Sequence, residues 1–438
     1  MSSLNPAPLP AARRSPWTWV PTAYLAEGIP FALVIWVAGT MFKDMGHSDS
    51  EITLATASIG IAWSLKPFWA AFLDMYRTKK FFVLAMEGLM ALLLCGIAVA
   101  LPLPNYFQIT IAVLWVMAFA SATQDICVDG VYITSLDEKG QARFIGVQGV
   151  FWNVGRLFCT AVVVWFAGTL KEDYRLDPAE AWRWAMVLAA ATLALLALYH
   201  WRFLPTGGVG RKPAHAREVA QTFWAAVVDF FKKESIWGML LFVFLYRSSE
   251  GLLLVEGPLF LQALPEQGGI GLSLKEKGLI DGTVSTAVSL AGGLLGGAFL
   301  AKYGLNRRTL IFMALCLNIP HLSFVVLSQM AGPGEQVSLW TVATLVTLEK
   351  FGYSFGMVAN MLYMMQQISP GKFHMTHYAF ANSIMNLTLV PTQMVSGPLA
   401  DHVGYQIYFI IVMFAAIPSV LAAVIAPFPR RPGESTAE

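Results

Sequence analysis

Charge is scarce in this 438-residue chain: Asp, Glu, Lys and Arg together make up 13%, against 56% hydrophobic residues, and the mean hydropathy is +0.59. A soluble globular domain carries about 25% charged residues, so that class is excluded and a chain crossing a membrane many times is implied. The few charges nearly balance, at a net +2, and form no basic stripe, which excludes nucleic acid as an expected partner. Cysteine is also rare. Cys95, Cys127, Cys159 and Cys316 lie far apart without C-x-x-C spacing, so free thiols are expected, with no disulfide and no metal site. Also missing are a G-x-x-x-x-G-K-[ST] loop, an H-E-x-x-H pair and a G-x-S-x-G elbow. Their absence argues against ATP as energy source and leaves no catalytic residue or cofactor to assign.

Long apolar runs dominate what is there. A hydrocarbon core about 30 Å thick takes about 20 residues of helix. Runs of that kind centre on 17–42, 51–73, 81–101, 107–134, 144–168, 183–204, 236–263, 278–300, 309–329, 338–368, 376–398 and 405–427, so an all-α membrane protein of about twelve helices is expected. Arg13 and Arg14 precede the first run, which reaches Phe42 without a small-residue cleavage site and reads as a retained helix. Lys and Arg collect in alternate loops, as in Arg77, Lys79 and Lys80 or Lys302, Arg307 and Arg308, which predicts both termini on the cytoplasmic side. One polar connection, Thr206 to Ser235, divides the chain into an N-terminal six-helix bundle over 1–204, a cytoplasmic linker over 205–235 and a C-terminal six-helix bundle over 236–438. Within the linker Val219, Phe223, Val227, Phe230 and Phe231 recur at helical spacing, predicting an amphipathic helix on the inner membrane face.

Acidic residues inside these runs are costly, about 2.5–3.5 kcal/mol each at a helix centre, and therefore mark cavities. Asp125 and Asp129 share one face of the fourth run, about 27 and 33 Å from its start near Phe107. That depth makes Asp125 the candidate for proton or substrate chemistry and Asp129 a brace for the inner gate, paired with Arg77 or Lys79. Glu27 precedes Gly28 and Pro30, which can unwind a helix around a ligand, and Tyr24 lies one turn earlier. Gln148, Trp152 and Arg156 share a face of the fifth run; the guanidinium suits either a carboxylate partner on the fourth helix or an anionic substrate. Lys66 lies near a helix end, where snorkelling to the interface is expected, and Glu87 has no partner identifiable from sequence. In the second half Tyr246, Arg247 and Glu250 precede Gly251, while Glu349, Tyr353 and Asn360 fall on one face, and Asn382 and Asn386 on another. Amides and phenols so placed suit sugar hydroxyls and acetamides, and equally serve as interhelical hydrogen bonds.

Two segments carry a resemblance. AAFLDMYRTKK from Ala70 and GAFLAKYGLNRR from Gly297 follow the second and eighth runs and resemble the loop signature of the major facilitator superfamily, with Asp74 at the acidic position of the first copy. SATQDICVDG from Ser121, together with GYSFGMVANMLYMM and FHMTHYAF further on, resembles the peptide and acetyl-coenzyme A transporter family, whose best-known bacterial members are AmpG-type muropeptide permeases. Gly130 stands where those sequences carry alanine, and His377 where they carry glutamine. The resemblance implies a major facilitator fold. It further implies inner-membrane import, by proton symport and alternating access, of an N-acetylglucosaminyl-anhydromuramyl fragment, with the protein working as a monomer. Siderophore import by the same superfamily is the rival within transport, and a membrane-embedded transferase the rival from another class. Glu27 and Asp125 are then the proton-linked acids and Arg156 the anion anchor. Tyr24, Gln148, Trp152, Arg247, Glu250, Glu349, Tyr353, Asn360, Asn382 and Asn386 line the cavity, and Asp74, Arg77, Lys79 and Asp129 form the gate.

Overall fold

The computed structural model describes residues 15–66, 68–70, 73, 77–208, 216–334, 336–371 and 373–428; Asp74 lies outside them. Among these residues nine helical spans are long and apolar enough to cross a membrane, the last of them Thr376–Ile425. That last span is two helices, because Gly404 sits at φ 75° and turns the chain between them. The second helix, broken into Asp49–Thr56 and Ile61–Ser64 around a tight turn, and the tenth, Leu339–Tyr363, with Glu349 and Lys350 in its middle, bring the set to twelve.

Helix starts follow local chemistry. Thr78, Asp137, Asp177, Ser273, Asn306 and Ser338 each accept a hydrogen bond from a backbone N–H in the following turn, opening the third, fifth, sixth, eighth, ninth and tenth helices. Each such cap stabilises its helix by about 1 kcal/mol. Irregular turns fall in the middle of the spans. Pro30 has no N–H to offer, and the first helix loosens into a π-helical turn at Leu33–Val37. The fifth and eighth helices carry similar turns at Phe158–Val163 and Gly278–Val284, and the seventh is interrupted at Arg247.

The N-terminal half packs around Ile29, Leu33, Met90, Leu94, Met117 and Trp182. The C-terminal half has one core around Phe242, Met313, Leu317 and Tyr363 and another around Phe260, Phe324, Tyr408 and Phe409. The halves meet where the second helix lies on the eleventh and the fifth on the eighth, towards the end of the bundle opposite the chain termini. Glycine makes the closest approaches possible: a Cβ on Gly397 would stand 2.2 Å from the Asp49 carbonyl oxygen.

The linker helix, Ala216–Phe231, departs from expectation. Its Phe223 and Phe230 meet Phe380 of the eleventh helix edge to face, with centroids 5.7 and 5.6 Å away, and His377 Nε2 lies 3.2 Å from the Ala226 carbonyl. Phe223 and Phe230 are thus seated on protein, while Trp224 and Phe231 are exposed.

Candidate functional site

Most site residues read from the sequence gather, where described, in three polar groups inside the bundle. The first lies within the N-terminal half and is centred on Lys66. Lys66 forms an ion pair with Asp125, and Glu27 and Asp129 also face it. Asp129 accepts hydrogen bonds from the Tyr24 hydroxyl at 2.8 Å and the Gln148 amide at 3.2 Å. Glu27 is buried with one carboxyl oxygen unpartnered. Trp152 closes the group sideways through Phe31, 5.4 Å away.

Several expectations change here. Lys66 does not snorkel; three acids on the first and fourth helices draw it inward. Asp129 takes its hydrogen bonds from Tyr24 and Gln148 inside the bundle, whereas Arg77 is exposed over the Phe81 ring at 5.6 Å. Lys79 lies against Gly130, where a Cβ would come within 2.4 Å of its Cδ, so the glycine leaves room for that side chain. Gly28 does not unwind the first helix. It allows the first and fifth helices to cross closely: a Cβ there would stand 2.2 Å from the Trp152 carbonyl oxygen, and one on Gly155 2.3 Å from that of Leu25.

The second group lies between the halves. Arg156 turns away from the fourth-helix acids, two turns further along than Gln148, and its Nη2 donates to Thr286 of the eighth helix at 3.2 Å. The guanidinium stacks over Trp36 at 5.3 Å, and its Nε is buried without a partner. Around it a cavity of about 90 Å³ is lined by Asp281, Ser285, Ser289, Lys350 and Tyr353. Lys277 donates to the Pro258 carbonyl at 2.7 Å and lies 3.5 Å from Asp281.

The third group belongs to the C-terminal half. Arg247 grips Glu250 with two N–H groups and reaches Asn386 at 3.5 Å, all at the break in the seventh helix. Tyr246 instead bonds the Gly356 carbonyl at 2.9 Å and acts as a strut. Glu349 is buried beside Lys350 at 3.2 Å and His321 at 3.7 Å. Asn360 is buried with neither amide atom partnered, and Asn382 is half-buried one turn before Asn386.

The sequence reading passed over Asp281 and Thr286, because single polar residues in a glycine-rich helix form no pattern. Glu87 also finds its partner: His200 Nδ1 lies 2.8 Å away and the Gln124 amide 3.0 Å, fully buried inside the N-terminal half. Among the described residues no group of His, Cys, Asp and Glu could hold a metal ion.

Two six-helix halves with polar groups at and around their junction suit a transporter, and the family model agrees: that of the Major Facilitator Superfamily matches residues 22–387. The chain belongs to the major facilitator superfamily. Putative transporter AmpG 4 of Rickettsia felis is 23% identical over 411 residues, covering 90% of this chain and 92% of its own. The anhydromuropeptide permease of Escherichia coli is 24% identical over 413 residues, covering 91% of this chain and 77% of its own. The crystal structure of nucleoside transporter NupG shares the fold, with a TM-score of 0.71 at 14% identity, covering 94% of this chain and 99% of its own. The protein is a multi-pass membrane transporter of the AmpG-like group and acts on small molecules.

Proposed function

We propose that this transporter imports a muropeptide or amino-sugar fragment of the N-acetylglucosaminyl-anhydromuramyl type across the inner membrane by proton symport and alternating access. In this reading both termini lie in the cytoplasm and the monomer is the working unit. The observation that carries the reading is Arg156, half-buried at the junction of the halves with its buried Nε unpartnered and with Lys350 across the same cavity. Such a fragment bears a carboxylate for the two cations and acetamides for Tyr353, Ser285, Ser289 and the neighbouring amides. Asp125 is the proton-linked group. Neutralising it releases Lys66 towards Glu27 and Asp129 and so rearranges the wall of the N-terminal half. Arg77, Lys79 and Asp74 serve the inner gate. The gradient supplies about 1.4 kcal/mol per pH unit and about 2.3 kcal/mol per 100 mV for each proton.

The test is uptake of radiolabelled N-acetylglucosaminyl-anhydromuramic acid into proteoliposomes. An alkaline interior accelerates entry. Arg156→Ala slows it about tenfold or more, matching the ~1.5–3 kcal/mol of a lost charge-assisted hydrogen bond. Asp125→Asn keeps counterflow exchange and loses accumulation driven by the pH gradient. Uptake indifferent to that gradient rejects the coupling, and entry of a ferric siderophore in place of the sugar rejects the substrate.

A further inference from the structure

A second buried acid pair lies away from the central groups, at the end of the bundle opposite the termini, where the two halves touch. Asp49 comes from the second helix. Its Oδ1 accepts from the Lys43 ammonium at 2.6 Å and its Oδ2 from the Tyr405 hydroxyl. Facing it is Glu256 of the seventh helix, fully buried, with Lys43 and Ser396 beside it and no hydrogen-bond partner on either oxygen.

The remaining neighbours are engaged elsewhere. The Ser396 hydroxyl donates to the Gln393 carbonyl at 2.8 Å, and Tyr408, which also faces Glu256, donates to the Leu252 carbonyl at 2.8 Å. Lys277 on the eighth helix donates to the Pro258 carbonyl at 2.7 Å, and Asp401 is held by the Ser50 N–H at 2.9 Å. Among the described residues the cluster therefore holds one cation, Lys43, and two carboxyl groups. A buried unpaired charge is strongly disfavoured, and adjacent carboxylates do not both ionise. Two facing carboxyl groups against one ammonium leave room for one proton shared across the Asp49–Glu256 contact.

We propose that Asp49 and Glu256 form a proton-binding site that locks this end of the transporter shut. Lys43 and Asp49 belong to one half, Glu256 and Tyr405 to the other, so the shared proton joins the halves. A cavity of about 750 Å³, lined in part by Lys43, Asp49, Asp401 and Tyr405, brings water to the Asp49 side of the pair. Loss of the proton leaves two carboxylates against one ammonium. The pair then separates and hydrates, and this end opens. The inference rests on the reading of the chain as a two-half transporter and needs no particular substrate.

The test is a distance measurement without substrate. Spin labels go on Leu103→Cys and Trp340→Cys, exposed positions of the two halves at this end, with the four native cysteines replaced. Double electron–electron resonance is recorded between about pH 5.5 and about pH 8.5, a range wide enough for a perturbed carboxyl to titrate. The expected result is a short distance at low pH and a growing long-distance population at high pH. Glu256→Gln, which keeps the shape and an uncharged donor, stays short throughout, and so does Asp49→Asn should the first variant fail to fold. A Glu256→Gln protein that opens with pH as the parent does overturns the lock, as does a parent that never opens. Because no substrate is present, failure here is separate from failure of the importer assignment.

Discussion

Removing Lys66 tests the interior of the N-terminal half most directly. Lys66→Met keeps the length of the side chain and deletes the cation that faces Glu27, Asp125 and Asp129. Breaking a fully buried ion pair costs about 3–5 kcal/mol. Here the side chains of Lys66 and Asp125 retain 27% and 13% exposure, so solvent screens part of the lost attraction and about 2–3 kcal/mol is expected. Asp129 keeps its bonds from Tyr24 and Gln148 and contributes little to the loss. The assay is unfolding free energy by steric trapping in bicelles, measured as a double-mutant cycle with Asp125→Asn. Neutralising the acid as well should recover much of the loss, with a coupling energy of about 1–3 kcal/mol. A coupling energy within about 0.5 kcal/mol of zero, the scatter of independent sites, refutes the claim that Lys66 holds the acids together.

Two other outcomes follow from the packing. Gly28→Val pushes a branched side chain against the Trp152 carbonyl, which a Cβ alone would approach to 2.2 Å, and should destabilise the protein by about 1–3 kcal/mol, seen as a lower unfolding temperature in detergent. His200→Leu strands Glu87 at zero exposure with only the Gln124 amide, at a cost of about 3–5 kcal/mol. The double variant Glu87→Leu with His200→Leu should restore most of it, and thermal unfolding of the two proteins distinguishes the cases.

The membrane class, the twelve helices and the family were legible because each depends on features local in sequence. Twenty apolar residues span a bilayer whatever surrounds them, and SATQDICVDG and the two basic turns are contiguous strings. Partners were another matter. From the fifth helix alone, Arg156 could as well have met Asp125 as faced an anionic substrate; in the structure Gln148 lies beside Asp129 and Arg156 turns towards Thr286. Lys66 read as a snorkelling side chain because nothing in its own segment shows the three acids that converge on it. The apolar stripe of the linker helix was visible in the sequence, but an apolar stripe does not state whether lipid or the eleventh helix will cover it.

The sequence by itself therefore determined where the chain crosses the membrane, how it divides and which acids are too costly to face lipid. Only the tertiary structure decided which charge answers which. It paired Asp125 with Lys66 and Glu87 with His200, and it brought Asp49 of one half against Glu256 of the other, 207 positions apart in the chain. The physical reason is one of range. Hydrophobic insertion is set residue by residue along a helix, whereas a buried charge is stabilised by neighbours within a few ångströms in space, and those come from helices remote in sequence.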